Sequence, residues 1–372
     1  MNIVITGADG FIGKNLAIRL RELGYENITK ITRDTSASAV EIALTAADFV
    51  FHLAGVNRPQ DPKDFETGNA GLTEQICAAL TVAGRRASLV LSSSTQATLE
   101  NAYGQSKRAA EATVRRYGAD TGAAVHVFRL TNVFGKWAKP NYNSAVATFC
   151  YNVSRGLPIT INDRTAPLNL VYVDDVVQTM VDCVANPVRD RDELYAHAGP
   201  VYSTTVGEVA DLLQEFADIR KTLVTPPVGT GLVRALYSTY ISYLPPESFA
   251  YEVPRHGDPR GVFVEMLKTP DCGQFSYFTA HPGITRGEHY HHSKTEKFLV
   301  IKGKAKFGFR HITTNETYEL ITCGGEARIV ETVPGWTHNI TNIGDDEMIV
   351  MLWANEIFDR NRPDTISMKV EA

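Results

Sequence analysis

Three glycines near the start of this 372-residue chain restrict what it can fold into. Gly7, Gly10 and Gly13 follow an apolar run at residues 3–5 and precede an amphipathic segment that ends at Gly24. Glycines between a strand and a helix let a pyrophosphate approach the unpaired N–H groups of the helix N-terminus. The turn therefore predicts a dinucleotide site on a parallel α/β sheet.

The organisation of the chain agrees with two domains, since a single core rarely grows to this size. Apolar runs alternate with helical patterns up to about residue 185, which is typical of βαβ units. The strands predicted there cover residues 3–5, 28–32, 49–54, 89–91 and 125–130. Residues 186–244 add a connector and helices, one of them with Thr205 and Glu208 in a capping pattern and another at residues 232–244.

The pattern changes after Pro245 and Pro246 to short β-rich segments separated by turns. They cover residues 275–280, 296–301, 305–309, 327–333 and 348–353. This spacing is typical of a β-barrel or sandwich. We predict a Rossmann-type, doubly wound parallel α/β sheet in residues 1–245 and an all-β barrel in residues 246–372.

Tyr103 and Lys107 are one helical turn apart, so both side chains can reach one face of a helix. A lysine ammonium stabilises a phenolate, so we expect it to lower the pKa of Tyr103 and to make this residue a proton donor to a carbonyl. The pair closely follows a strand that ends in the hydroxyls of Ser92–Ser94. The pattern indicates a carbonyl reductase.

The position that selects between the two nicotinamide dinucleotides is occupied by Arg33, twenty residues past Gly13. A carboxylate there binds the ribose 2′-hydroxyl of NAD, whereas an arginine accommodates the 2′-phosphate of NADP. We expect NADPH. The neighbouring Asp34 leaves NAD as the alternative.

A histidine pair in the C-terminal half indicates a metal site. His289 and His291 are two residues apart, so on a strand they project from one face. Together with Glu296 and His338 they form a set suited to Zn²⁺ or a neighbouring divalent metal. A surface histidine pair is the alternative reading.

Composition excludes several classes of function. Acidic and basic residues number 42 and 37, and no Lys/Arg-rich run is present, so we expect no nucleic-acid partner. No apolar stretch reaches the roughly 18 residues of a membrane span, and the N-terminus lacks the features of a signal peptide. The five cysteines show no CxxC spacing, which favours reduced thiols in the cytoplasm.

Residues 1 to about 240 resemble the extended short-chain dehydrogenase/reductase family of nucleotide-sugar enzymes. The resemblance is carried by motifs at residues 6–13, 51–55, 92–94, 103–107, 129–135 and 171–176, with the 51–55 motif at the family's fourth strand position. It implies that Tyr103 is the acid/base, Lys107 its ribose-binding partner and Ser94 the hydroxyl on the substrate oxygen. The cofactor-binding residues that it implies are Gly7, Gly10, Phe11, Ile12, Gly13, Arg33, Leu53, Ala54 and Asn69. His52 is expected to pack within the sheet.

Two departures from that family affect the substrate side of the site. Only eight residues separate Ser94 from Tyr103, so the intervening loop is shorter than in the family's epimerases and dehydratases. Leu168 occupies the position of an arginine that binds the diphosphate in many members. Contacts to the nucleotide must therefore come from other residues, with Arg58, Asn132 and Asn141 as candidates.

The C-terminal half resembles the metal-binding cupins. The spacing from Gly283 through His289, His291 and Glu296 to Gly303 matches the first cupin motif, and residues 335–342 match the end of the second. Residues 256–265 resemble the opening of the dTDP-4-keto-sugar epimerases, which are also cupins. The metal could stabilise an enolate or only hold the barrel together, and the catalytic base stays open among His256, Asp258, Tyr290 and Lys302.

The whole chain resembles the family of bifunctional bacterial enzymes that make UDP-2-acetamido-2,6-dideoxy-β-L-talose on the way to UDP-N-acetyl-L-fucosamine for capsule or O-antigen. The resemblance implies C3 epimerisation of a UDP-linked 4-keto-6-deoxy-N-acetyl sugar in the cupin domain, then C4 reduction with NADPH. It also implies a homodimer or homotetramer. The alternatives are a single-function reductase with a structural cupin, an iron oxygenase and an inactive dinucleotide sensor.

Overall fold

The computed structural model describes residues 1–186, 195–254, 256–258, 261–263, 267, 269, 273–356 and 361–371. They form two compact units. One comprises residues 1–134 with 168–203, and the other comprises residues 135–167 with 204–372. The boundary that we predict at residue 245 divides two sequence families with different activities, whereas these units are divided by compactness. The boundary at residue 245 stays a prediction.

The first unit contains a parallel five-stranded sheet in the order β2-β1-β3-β4-β5. Its strands are β1 (Ile3–Thr6), β2 (Ile28–Ile31), β3 (Phe49–His52), β4 (Ser88–Ser94) and β5 (Val125–Leu130). The helices between them are α1 (Phe11–Glu22), α2 (Ala37–Ala46), α3 (Lys63–Phe65), a π-helical segment (Glu66–Gly71), α4 (Leu72–Ala83), a 3-10 turn (Thr95–Thr98) and α5 (Ala102–Thr121). The predicted parallel α/β sheet is confirmed.

The strand that carries the 51–55 motif is the third along the chain, although it was expected at the family's fourth position. It pairs with β1, with Thr6 opposite His52. In a Rossmann fold with the strand order 3-2-1-4-5-6, the two neighbours of the first strand are the second and the fourth strands. The third strand along this chain therefore takes the place of the family's fourth strand. Residues 32–48, all of which the structure describes, contain α2 but no strand between β2 and β3.

A smaller three-stranded sheet in the order β6-β7-β8 follows the main one. Its strands are β6 (Asn132–Phe134), β7 (Pro167–Tyr172) and β8 (Val201–Thr205). The helices of this part of the chain are α6 (Ala145–Val153), α7 (Val173–Ala185), α8 (Val206–Thr222) and α9 (Gly231–Ser242). The predicted cap of α8 is confirmed: the Glu208 N–H donates to the Thr205 hydroxyl at 3.2 Å, and the Thr205 N–H donates to the Glu208 carboxylate at 2.9 Å.

The C-terminal part of the second unit is all-β, as predicted. One antiparallel sheet has the order β12-β19-β14-β17-β9 and another has the order β16-β15-β18-β13-β20. Their strands are β9 (Ala250–Glu252), β12 (Gln274–Ala280), β13 (Thr285–Tyr290), β14 (Glu296–Lys302), β15 (Lys304–His311), β16 (Thr317–Cys323), β17 (Arg328–Glu331), β18 (Trp336–Asn342), β19 (Met348–Ala354) and β20 (Ile366–Ser367), with a separate hairpin of β10 (His256–Asp258) and β11 (Gly261–Phe263).

Each unit has its own apolar core. In the first, Val50 and Leu89 of the sheet pack with Leu80 of α4 and Val114 of α5. Burial of each such side chain stabilises the fold by about 1.5–3 kcal/mol. In the second, Phe249 lies edge-to-face against Trp336 at 5.0 Å. Across the residues that the structure describes, every helix is too short or too polar to traverse a bilayer.

Candidate active sites

The glycine turn between β1 and α1 depends on close backbone contacts. Gly7 has φ of +67°, and a Cβ there would lie 2.7 Å from the backbone nitrogen of Ala54. A Cβ on Gly13 would lie 2.3 Å from the carbonyl oxygen of Gly7. No side chain caps α1 at Gly10, so its first N–H groups face the turn and suit an anion.

The loop after β3 brings Leu53 and Ala54 to this turn. The Ala54 N–H donates to the Thr6 hydroxyl at 3.2 Å. Asn69, buried in the π-helical segment, accepts from the Val56 N–H at 2.9 Å and donates to the Ser106 hydroxyl of α5 at 3.0 Å. Asn69 therefore ties the predicted cofactor loop to the helix that carries the predicted catalytic pair.

Arg33 lies in the turn just past the end of β2, and it is exposed. Other positive charges are close to this strand end. Burial and the Arg21 charge lower the pKa of Lys30 on β2, the Asp9 carboxylate opposes this, and the Lys14 charge lowers it further. This cationic surface suits an added phosphate.

Ser94, Tyr103 and Lys107 come together at the end of β4 and the start of α5. Asn101 caps α5 by accepting from the Gly104 N–H at 2.7 Å. The Lys107 ammonium lies 5.9 Å from the centre of the Tyr103 ring and donates to the carbonyl oxygen of Ser92 at 3.1 Å. The three predicted catalytic side chains thus share one location.

The expected lowering of the Tyr103 pKa is wrong for this structure. Burial raises the pKa of the Tyr103 phenol, and a hydrogen bond with the Ser94 hydroxyl only partly opposes this. Tyr103 is accordingly a protonated hydroxyl, as a proton donor must be.

A buried carboxylate that the sequence reading missed supports Lys107 from one helical turn away. Burial lowers the pKa of Lys107 to about 8, and the Glu111 charge opposes this. Glu111 accepts from Ser93 at 2.5 Å and pairs with Arg129 through two hydrogen bonds of 3.0 and 2.6 Å. The i, i+4 spacing from Lys107 was the signal that could have identified it.

His52 lies within the sheet, as expected. It is 1% exposed, and its two ring nitrogens lie 2.8 Å from the Thr6 hydroxyl and 2.9 Å from the Thr73 hydroxyl. Burial and the Lys107 charge lower its pKa to about 3. A neutral imidazole between two hydroxyls fits a structural role.

The four predicted metal ligands converge in the all-β part. His289, His291, Glu296 and His338 each offer a ligand atom, and these atoms all lie within 4.8 Å of one another. His289 on β13 is directly opposite His338 on β18, while Glu296 begins β14.

A β-bulge sets the direction of the histidine pair. The pairing of β13 with β18 shifts between Gly287 and His289, and Glu288 adopts a φ of +59°. The Glu288 carboxylate accepts from the Asn339 amide and the Val370 N–H at 2.9 and 2.8 Å. These contacts hold a strained residue, which the sequence reading missed, beside the ligands.

The charges of this cluster fit a divalent cation. Burial and the neighbouring His338 and His291 lower the pKa of His289 to about 3, so its ring is a neutral donor. Burial raises the pKa of Glu296, but the nearby His291 and His338 lower it well below the ordinary value. Among the described side chains, both ring nitrogens of buried His338 lack a hydrogen-bond partner. Histidine imidazoles with one carboxylate are a donor set that Zn²⁺ binds.

Two of the four candidate bases for epimerisation, Tyr290 and Lys302, do not join this cluster. The Tyr290 ring lies 5.6 Å from that of His292, on the opposite side of the strand from His289 and His291. Lys302 is exposed at the end of β14. The side chains of His256 and Asp258 lie outside the described residues.

The three candidate nucleotide contacts belong to different segments of the chain. Arg58 is exposed in the loop after β3, and Asn132 is exposed on β6, where its amide donates to the Asn169 carbonyl at 3.3 Å. Asn141 belongs to the second unit and has φ of +55°.

Comparison with known proteins gives matches along the whole chain. Residues 3–196 match the NAD dependent epimerase/dehydratase family, and residues 256–366 match the polysaccharide biosynthesis C-terminal domain. The UDP-2-acetamido-2,6-beta-L-arabino-hexul-4-ose reductase of Pseudomonas aeruginosa is 55% identical over 370 residues, which are 100% of this chain and 99% of that protein.

Solved structures agree with these matches. The capsular polysaccharide assembling protein CapF of Staphylococcus aureus is 43% identical, with a TM-score of 0.69 over 99% of this chain and 100% of that one. UDP-glucuronic acid 4-epimerase of Bacillus cereus, solved with NAD, is 18% identical and shares the fold over 58% of this chain and 83% of its own, with a TM-score of 0.51. The chain therefore belongs to the NAD dependent epimerase/dehydratase family and carries a polysaccharide biosynthesis C-terminal domain.

Proposed function

We propose that this chain is a bifunctional nucleotide-sugar enzyme, in which residues 1–245 reduce a ketone with NADPH and residues 246–372 form a metal-dependent epimerase. The substrate is a UDP-2-acetamido-2,6-dideoxy-4-hexulose, which is epimerised at C3 and then reduced at C4. The product is UDP-2-acetamido-2,6-dideoxy-β-L-talose, for UDP-N-acetyl-L-fucosamine and surface polysaccharide. The main support is 55% identity over the whole chain to a reductase of a UDP-linked hexul-4-ose.

The residues near the start of α5 supply the proton chemistry of the reduction. A nicotinamide dinucleotide bound at the glycine turn would supply a hydride for C4 of the sugar. Tyr103 donates its proton to the C4 oxygen, so the ketone becomes an alcohol. Ser94 hydrogen-bonds the same oxygen, and the Lys107 ammonium stabilises the phenolate that Tyr103 leaves behind.

We assign the choice between NADPH and NADH to the residues at the end of β2. Arg33 is exposed there, and Lys30 is close to the positive charges of Arg21 and Lys14 as well as to the Asp9 carboxylate. A 2′-phosphate would neutralise part of this charge, which supports NADPH rather than NADH.

The proposed metal ligands are His289, His291, Glu296 and His338, and the proposed metal is Zn²⁺. A divalent cation held by these four residues would supply positive charge that stabilises the oxygen of an enolate. The 4-ketone acidifies the C3 proton, so loss of this proton and its return on the other face inverts C3. Epimerisation precedes reduction, because reduction removes the ketone.

Two variants separate the proposed activities, with the UDP-4-keto sugar and NADPH supplied together. Tyr103→Phe should lower NADPH oxidation by about 10²–10⁴-fold while leaving epimerisation intact. His291→Ala should leave reduction of a pre-epimerised sugar intact while the un-epimerised sugar gives no product. Loss of assembly in His291→Ala with normal products would instead support a single-function reductase with a structural cupin, and failure of the wild-type protein to change the sugar would refute the proposal.

A further inference from the structure

We infer that Asp364 and Lys294 form a clamp that orients two metal ligands, His291 and Glu296, from outside the ligand set. The inference deepens the proposed function, because it rests on the metal site proposed there. Nothing in the motif spacing identifies Asp364, which follows His291 by 73 residues.

The backbone of Asp364 fixes the tautomer of His291. Nδ1 of His291 is hydrogen-bonded to the carbonyl oxygen of Asp364. A carbonyl oxygen can only accept, so Nδ1 carries the proton. The ring nitrogen left to bind a metal is then Nε2, which faces the carboxylate of Glu296 at 3.2 Å. This is the arrangement in which the second ring nitrogen of a histidine ligand is held by a carbonyl group.

Lys294 fixes the two oxygens of Glu296. Oε2 is directed to the histidines, 3.2 Å from Nε2 of His291 and 3.5 Å from Nε2 of His338. Oε1 instead lies 3.0 Å from the Lys294 ammonium. With Oε1 engaged by a cation, Glu296 presents one oxygen to a metal rather than two.

The side chain of Asp364 connects these two contacts. Its carboxylate accepts from the backbone N–H groups of His292, Ser293 and Lys294 at 2.9, 2.7 and 2.8 Å. It also accepts from the Ser293 hydroxyl at 3.0 Å. One residue thus holds the ring of His291 through its carbonyl oxygen and holds the backbone of Lys294 through its carboxylate.

Helix α9 supports the same segment. Arg234 donates to the Ser293 hydroxyl and pairs with Glu356 at 3.3 Å. The Ser238 hydroxyl donates to the carbonyl oxygen of His292 at 3.2 Å. The segment between two ligands is therefore held from both sides, so the ligands are oriented in advance of the metal.

Zn²⁺ affinity tests the clamp without reference to activity. Loss of an outer contact to a metal ligand typically weakens binding by about 10–100-fold. We expect that weakening in both Lys294→Met and Asp364→Asn, measured by competition with a chromogenic chelator. Lys304→Met and Asp345→Asn, which change exposed side chains on β15 and in the turn before β19, are the matched controls.

The visible spectrum of the Co²⁺-substituted protein tests the coordination itself. Wild type should show the intense bands of four-coordinate Co²⁺. In Lys294→Met these bands should lose intensity, because Glu296 becomes free to bind through both oxygens. A role in folding alone would lower the melting temperature without changing this spectrum.

The outcomes separate the clamp from the metal site. Wild-type affinity and spectrum in Lys294→Met would overturn the clamp and leave the proposed site intact. If Asp364→Asn does not fold, Lys294→Met still decides the question. A wild-type protein that binds neither Zn²⁺ nor Co²⁺ would refute the metal site, and the clamp with it.

Discussion

The two candidate sites differ in which of their residues are charged and which are neutral. The reductase site holds a buried lysine cation beside a protonated phenol, since burial raises the pKa of Tyr103 and lowers that of Lys107 to about 8. The metal site holds neutral imidazole beside a carboxylate, because burial lowers the pKa of His289 to about 3. The first arrangement suits proton donation and the second suits metal binding.

Tyr103→Phe tests the proton donor. Removal of one general acid typically lowers a rate by about 10²–10⁴-fold, and we expect kcat/KM for ketone reduction to fall within that range. NADPH affinity, measured by fluorescence titration, should change little. Tyr277→Phe, at a side chain that is 72% exposed, is the control. Near-normal reduction by Tyr103→Phe would remove Tyr103 from the mechanism.

The pH dependence of reduction tests Lys107. The pKa of Lys107 is lowered to about 8, so the cation is present below that pH and is lost above it. The rate of reduction should therefore fall as the pH rises through about 8. Glu111→Gln removes a charge that raises this pKa, so the fall should begin at lower pH.

Glu100→Gln, which changes an exposed carboxylate near the start of α5, is the control for that profile. A profile of Glu111→Gln that coincides with wild type, in a folded protein, would contradict the link between Glu111 and Lys107.

Sequence patterns could predict a site residue where its partner is a few residues away in the chain or belongs to the same known motif. Tyr103 and Lys107 meet because one helical turn separates them, and His289 and His291 share a face because a strand alternates. Asp364 was missed because it acts on His291 through a backbone carbonyl, which has no residue signature. The rise in the Tyr103 pKa depends on burial, which motif spacing does not reveal.

At the scale of elements, a tight turn and a β-bulge position the residues of the two candidate sites, and buried ion pairs join a helix to neighbouring strands. The turn from β1 to α1 requires two glycines, and the bulge in β13 redirects His289. The parallel arrangement of the sheet could be predicted, because apolar runs alternate with helical patterns in this part of the chain. The bulge could not, since one extra residue in a strand has no distinct pattern at Glu288.

Gly13→Ala tests the turn. The added methyl group would lie 2.3 Å from the Gly7 carbonyl oxygen, so β1 and α1 would have to separate. Overpacking of this kind costs about 1–3 kcal/mol, and NADPH affinity should fall with the stability. In the control, Gly71→Ala, the nearest atom is 3.6 Å away. Unchanged NADPH binding and melting temperature in Gly13→Ala would contradict the close approach.

A buried ion-pair network joins α8 to the strands of the all-β part. Glu331 on β17 pairs with Lys297 on β14 and with Arg220 on α8. Burial alone lowers the pKa of Lys297, but the Glu331 carboxylate raises it above its ordinary value. Sequence patterns missed the network, because its three members come from separate elements.

Glu331→Gln leaves two buried cations without their carboxylate. Breaking a buried pair typically costs about 3–5 kcal/mol, and we expect a loss of that order in the free energy of unfolding by urea. Glu319→Gln, at the more exposed pair with Lys306, should cost under about 1 kcal/mol. Equal losses in the two variants would show that the network does not stabilise the fold.

At the scale of the whole molecule, the chain combines the proposed reductase site with the proposed metal site. The 4-ketone of the proposed substrate can accept a hydride and also acidifies the C3 proton, so one substrate can use both proposed sites. Similarity to the Pseudomonas reductase and to CapF extends over at least 99% of this chain, which favours a function that needs both halves. A homo-oligomer and a cytoplasmic location stay predictions.

The most direct measurement is NMR of the UDP-linked 4-keto-6-deoxy-N-acetyl sugar in deuterated water, with enzyme and without NADPH. We expect the C3 proton signal to disappear in wild type and in Tyr103→Phe, and to persist in His291→Ala. A C3 proton that persists with wild-type enzyme, while the same preparation reduces the sugar once NADPH is added, would refute the proposed epimerase activity and leave a reductase with a structural cupin domain.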